Sequence, residues 1–443
     1  MKSPTEPKPI TTARPTVVFS ILLAALAVGV PRIARAQTLS PNAAAASVAS
    51  TPGSYANLSW PAAAANRTSE DLFIRVNADP GPTSNIFWSN QFYIGRFGGY
   101  TGLQTTYLTP KTAGAPASAA PGNLFLFSVW GASAAQPGAP GSWCLSGQEG
   151  SAFKGCRFLY PWQVGHTYQF HLYADSAIGP GWFSVSVKDI DGTDLFKIGS
   201  IFFDSALTAI GPQGTASQWT EYFEWNNPKT MCGSVPHSSA TFGASATIGG
   251  TTYSPSFSSL TTAGKCTAYQ QSTTTKLLIK GASVIADTQV NGVGNSSRKQ
   301  ITTNGRCLNS AGGLHDGAVA ILYPCGTPPA IAVNEAWVYA NDNSIRAAPS
   351  YCLTASGASI GSVVNVNTCA AGGALEQEWI YAHGTITSAQ GSQLCLGVDA
   401  SNRLVLSDCS SPLIWMLPPP YRLAVSGARG PAKQPTASPH PQP

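Results

Sequence analysis

Residues 167–172 alternate polar and apolar side chains, so Tyr168, Phe170 and Leu172 fall on one face of an extended chain. Residues 183–188 repeat the pattern with Phe183, Val185 and Val187. A period of two predicts half-buried strands. Residues 124–130 are apolar at nearly every position and predict a central strand covered on both faces. No long segment carries a 3.6-residue period, so the predicted class is all-β. Residues 53–290 are long enough for one large core and read as a β-sandwich of jelly-roll type.

The pattern changes at both ends. Lys2, Lys8 and Arg14 precede an apolar run over residues 16–30, and Ala34-Arg35-Ala36 follows as a small-residue cleavage site. Residues 1–36 read as a secretory signal peptide. The run falls short of the ~20 apolar residues of a membrane span, so no membrane association is expected after cleavage. Residues 37–52 are rich in Ala, Ser and Pro and read as a flexible leader. Residues 291–304 read as a linker, and residues 420–443 as a disordered tail.

Between linker and tail, one unit recurs three times. It runs Cys307-Leu308-Asn309 to Tyr323-Pro324-Cys325 and on to Trp337. It returns as Cys352-Leu353-Thr354 to Cys369 and Trp379, then as Cys395-Leu396-Gly397 to Cys409 and Trp415. The leading cysteines stand 45 and 43 residues apart. Units this small bury no core alone, but three packed about a pseudo-threefold axis share one. Residues 303–419 resemble the ricin B-type lectin family of sugar-binding β-trefoils. That family carries Cys-Leu-Asp, an aromatic before the second Cys, and Gln-x-Trp; here Gln-x-Trp is complete once, at Gln377-Glu378-Trp379. The resemblance implies a C-terminal β-trefoil over residues 305–419, with Trp337, Trp379 and Trp415 filling its centre. It also implies sugar contacts from the residue after Cys-Leu, from the aromatic, and from the Asn three before the Trp. In the first unit these are Asn309, Tyr323 and Asn334. The second unit offers Thr354, Asn367 and Glu376, and the third Gly397, Ser407 and Pro412, so neither has the aromatic. Asn309 replaces the family's Asp, which leaves out the charge of the acceptor.

The front region has its own resemblance. Gly98-Gly99-Tyr100-Thr101-Gly102-Leu103-Gln104, Phe127-Ser128-Val129-Trp130 and Tyr160-Pro161-Trp162 follow in an order similar to the bacterial family called domain of unknown function 3472, over residues 85–285. That likeness implies no particular reaction.

The ten cysteines fit an oxidising compartment. Six lie pairwise inside the repeats, which would close Cys307–Cys325, Cys352–Cys369 and Cys395–Cys409. Local pairing of the rest would join Cys144 to Cys156 and Cys232 to Cys266, although spacing alone fixes no connectivity. The formal charge of +5 owes most to residues 1–36, which hold five basic side chains and one acidic. The remainder is close to neutral and offers no basic patch for nucleic acid.

No catalytic constellation stands out. Asp189, Asp191 and Asp194 suggest either a calcium loop or a hairpin turn, and their place between two strand patterns favours the turn. Glu221 and Glu224 lie three apart on a strand and point to opposite faces, which does not suit a glycosidase pair. Asp175, Glu149 and Asp204 are isolated, and His166, His171 and His237 lack a partner at catalytic or metal-ligand spacing. No metal or cofactor is expected. Phe87, Trp88, Phe92, Tyr93 and residues 100–104 form either a saccharide groove or core packing. The expected protein is a secreted (extracellular or periplasmic) carbohydrate binder for a galactose- or xylose-type glycan. The alternatives are a polysaccharide hydrolase or lyase targeted by its trefoil, and an adhesive surface protein.

Overall fold

The computed structural model describes residues 53–108, 119–147, 153–211, 215–223, 231–263, 270–275, 287–292, 295–327 and 331–418. The expected signal peptide, leader and tail lie outside the described residues, as do Glu149, Glu224 and Cys266. The described elements are strands and short 3-10 turns, so the architecture is all-β. No helix among them is long and apolar enough to cross a membrane.

The N-terminal region contains two antiparallel sheets. The first runs in the spatial order Ser256–Ala263, Gly53–Ser59, Thr215–Tyr222, Ile86–Ile94, Phe97–Leu108, Ala119–Trp130, Phe153–Leu159 and Trp143–Ser146. The second is centred on Ser238–Ile248, Ser69–Ala78, Thr167–Ala174 and Trp182–Asp189. The period-two residues meet between the sheets. Trp88, Phe92, Phe125 and Phe127 of the first pack into one core with Ile74, Tyr168, Phe170, Leu172 and Val185 of the second. Each such side chain contributes roughly 1.5–3 kcal/mol by leaving water. Leu124 and Leu126 alternate with Phe125 and Phe127 and join Phe87 and Trp219 in a separate cluster. Burial on both faces explains the unbroken apolar run of that strand.

Three hairpins make the C-terminal region: Arg306–Ser310 with Ala318–Pro324, Tyr351–Ala355 with Val364–Thr368, and Leu394–Val398 with Leu404–Asp408. Their second strands close a ring. Ala318 stands opposite Val366, Val363 bridges Val405, and Ile321 bridges Arg403. Trp337, Trp379 and Trp415 are fully buried inside it. Each indole N–H donates to the carbonyl of the leucine after its own repeat's first cysteine: Trp337 to Leu308 at 3.0 Å, Trp379 to Leu353 at 2.9 Å, and Trp415 to Leu396 at 3.0 Å. Left-handed residues Asn304, Asn343 and His383 recur about every 40 residues and turn the chain into the next hairpin. Disulfides Cys307–Cys325, Cys352–Cys369 and Cys395–Cys409 close the three hairpins, and Cys144–Cys156 links two strands of the sandwich.

Residues 295–303, in the stretch expected as a linker, are tied to both regions. On the sandwich side, Ser297 Oγ donates to the Asp79 carbonyl at 2.7 Å and Arg298 N to the Pro80 carbonyl at 2.8 Å. The Arg298 guanidinium, 2% exposed, donates to the carbonyls of Thr83 (2.9 Å) and Ser234 (2.6 Å). On the trefoil side, Ser296 N donates to the Tyr339 carbonyl at 2.9 Å, and Lys299 and Trp337 exchange backbone bonds of 3.0 and 2.9 Å. Ile301 belongs to the trefoil core.

Candidate functional site

In the first repeat the strand register assembles the expected residues. Asn309 stands opposite Ile321, and Tyr323 opposite Cys307. Period two therefore places Asn309 and Tyr323 on one face of the hairpin. The Tyr323 ring is 55% exposed, whereas Asn309 is only 7% exposed. Asn334 sits on the 3-10 turn Val333–Glu335. Glu335 pins that turn by accepting from Ala332 N at 3.1 Å and Gly326 N at 3.2 Å. Asn334 Nδ2 then donates to Asn309 Oδ1 at 2.8 Å and to the Ser310 carbonyl at 2.9 Å. Both of its amide hydrogens are spent, so the pair presents the Asn309 amide as donor and the Asn334 oxygen as acceptor. An exposed ring beside a paired donor and acceptor matches the two surfaces of a sugar, its C–H face and its hydroxyls.

The other repeats use their polar atoms internally. Thr354 Oγ1 donates to the Cys352 carbonyl at 3.0 Å and accepts from Gln377 Nε2 at 3.1 Å. Asn367 takes the place of Tyr323 opposite Cys352, and its Oδ1 accepts from Gly317 N at 2.8 Å. Glu376 is exposed, beyond Gln377, which is buried. In the third repeat Ser407 takes that place and donates to the Cys395 carbonyl at 3.2 Å. A side chain at Gly397 would lie 2.3 Å from Ser407 Oγ, which leaves no room for an acidic residue there. Pro412 supplies neither a ring face nor a donor.

In the sandwich, residues 189–194 form a turn whose carboxylates are all engaged. Asp189 meets His166 Nδ1 at 2.8 Å, Asp191 accepts from Thr167 N at 2.9 Å, and Asp194 accepts the Tyr160 hydroxyl. Burial, reinforced by Asp194, pushes Tyr160 up to about 12. No group of three His, Cys, Asp or Glu able to hold a metal exists among the described residues. Spacing gave no signal for the His166–Asp189 pair, nor for His171 with Asp71 at 2.7 Å, because the partners lie 23 and 100 residues apart and meet only once the strands pair. Asp175 accepts from Lys197 and Ser184. Burial pushes its carboxyl up, but those two bonds outweigh burial and hold it below the ordinary range. Asp204 accepts from Ala206 N at 3.0 Å, and His237 is buried. The aromatic segment divides by parity. Trp88, Phe92 and Leu103 enter the core, while Phe87 and Tyr100 pack in the cluster on the other face with Trp219, which donates to Glu221 at 2.7 Å.

A closed ring of three disulfide-closed hairpins around three buried tryptophans defines a β-trefoil. Residues 298–413 match the ricin-type beta-trefoil lectin domain. The match covers the trefoil alone, and the resemblance of residues 85–285 to the domain of unknown function 3472 family finds no support in it. Similar solved structures include the agglutinin from Abrus precatorius, at 25% identity and TM-score 0.24, covering 28% of this chain and 47% of that one. A non-toxic homologue of type II RIPs from Momordica charantia, solved with alpha-methyl-D-galactoside, is 28% identical at TM-score 0.24, again covering 28% and 47%. The beta-trefoil lectin of the Vibrio vulnificus hemolysin/cytolysin, solved with N-acetyl-D-lactosamine, is 17% identical at TM-score 0.23, covering 30% of this chain and 96% of that one. The chain thus spans about half the length of the two plant proteins. No curated protein matches the chain.

Proposed function

We propose that this is a secreted carbohydrate-binding protein whose trefoil holds a galactose- or xylose-type glycan at the first repeat. The observation that carries the reading is the exposed Tyr323 ring beside the Asn309–Asn334 pair, in a domain matched to a lectin family. Tyr323 supplies the stacking face, Asn309 donates to a ring hydroxyl, and Asn334 accepts from one. The disulfides support export to an oxidising compartment, with residues 1–36 as the signal peptide. On this reading residues 53–290 are a β-sandwich to which no reaction is assigned.

Calorimetry of the full chain with galactosides and xylosides tests the site. Tyr323→Ala removes the stacking surface, and a loss of about 1.5 kcal/mol, roughly tenfold in affinity, is expected. Unchanged affinity in Tyr323→Ala would refute the assignment. Absence of binding by the parent to any glycan of an array would leave the trefoil a structural module.

A further inference from the structure

A cleft of about 400 Å³ opens where the sandwich meets the trefoil. Trp162, Asn123 and Asp79 wall it from the sandwich, and Lys299, Gln300 and Ile331 from the trefoil side. Its volume falls in the range of small-molecule sites, ~300–1,000 Å³. A second recess of about 220 Å³ shares Lys299, Gln300 and Thr302 and reaches the exposed Met416. The two recesses thus share the wall formed by Lys299, Gln300 and Thr302.

The lining chemistry narrows the ligand. Asp79 and Lys299 face each other at 3.2 Å, so the groove offers one charge of each sign and favours neither anion nor cation. Gln300 Nε2 donates to the Gly326 carbonyl at 2.8 Å, which leaves its oxygen as an acceptor, and the Asn123 side chain forms no hydrogen bond among the described residues. Trp162 is 6% exposed and packs edge-on against Trp88, with ring centroids 5.2 Å apart. Its indole N–H is buried without an acceptor among the described residues. A buried orphan donor costs about 1–3 kcal/mol, which a small turn of the ring toward a ligand oxygen would recover. Neutral charge balance, donors and acceptors from several side chains, an indole, and room for more than one ring describe a polyhydroxylated neutral ligand.

We propose that this junction groove is a second saccharide site, built jointly by both regions and independent of Tyr323. Neutral mono- and disaccharides are the ligand class, with hydroxyls bridging the Asp79–Lys299 pair and Asn123 and Gln300 fixing the ring.

The full chain carrying Tyr323→Ala keeps this test separate from the first-repeat site. Its ¹⁵N-labelled indole signals are recorded while galactose, xylose, lactose and xylobiose are added up to roughly 100 mM, enough to reach millimolar sites. Trp162→Phe, which keeps an aromatic ring, assigns the Trp162 signal. The expected result is a saturable shift of that signal with at least one sugar, weakened at least fivefold by Asn123→Ala and by Gln300→Ala. No shift with any of the four sugars, or a shift that Asn123→Ala and Gln300→Ala both leave unchanged, would overturn the proposal.

Discussion

Asn309 shows how far the proposed site rests on one atom. Its carboxamide oxygen receives Asn334, so in that proposal only its nitrogen is left to meet a sugar. Asn309→Asp would keep the bond to Asn334 and replace the outward donor by a charged acceptor, whose bonds are roughly twice as strong. Affinity for the preferred sugar should rise several-fold by calorimetry, with no change in the melting curve of the free protein. The place of Asn309, Tyr323 and Asn334 was legible because cysteines bracket each repeat and fix its register. Which amide atom points outward was not, since it depends on a bond between residues 25 apart. Asp175 offers a test of a different kind. Its carboxyl is held below the ordinary range, so it stabilises the fold above its unfolded value, ~3.9, and that contribution vanishes as pH falls through the lower folded value. Asp175→Asn should therefore lower the melting temperature clearly at neutral pH and progressively less as the pH falls below ~3.9. A loss that stays constant through that range would count against the Lys197 and Ser184 account.

At the scale of elements, parity carried most of the prediction. It sorted Tyr168, Phe170 and Leu172 into the core, and it read residues 124–130 as a strand buried on both faces. The same rule, applied along the aromatic segment, separates Trp88 from Phe87. Turns were less legible, because their demands come from what they touch. Gly81 has φ +99°, and a Cβ there would lie 1.9 Å from the Arg298 carbonyl oxygen. Strain and clash together give Gly81→Ala a cost on the order of 3 kcal/mol, read from the urea midpoint. A midpoint within error of the parent would mean that the junction yields to admit a methyl group.

At the scale of the molecule, the junction is the least expected feature. A polar stretch with Gly, Asn and Ser reads as linker, yet residues 295–298 are buried. Composition reports how a segment would behave in water, and here carbonyls of both regions replace water. A fragment starting at residue 305 lacks Ile301 and the Lys299–Trp337 pairing, whereas one starting at residue 295 keeps both. The longer fragment, 295–418, should melt cooperatively, and the shorter, 305–418, should melt well below it or not cooperatively. Equal melting temperatures would show that residues 295–304 add nothing to the trefoil.

The buried Arg298 also bears on reach. Domains on a loose tether search a volume, and the benefit of joining them fades as the tether lengthens. Residues 295–303 are instead bonded on both sides, through Pro80, Thr83 and Ser234 in front and Tyr339 and Trp337 behind. A glycan gripped by the trefoil would meet the sandwich at one fixed offset along its length, as between the jaws of a set calliper, so that the spacing of residues along the polymer becomes something the protein can measure.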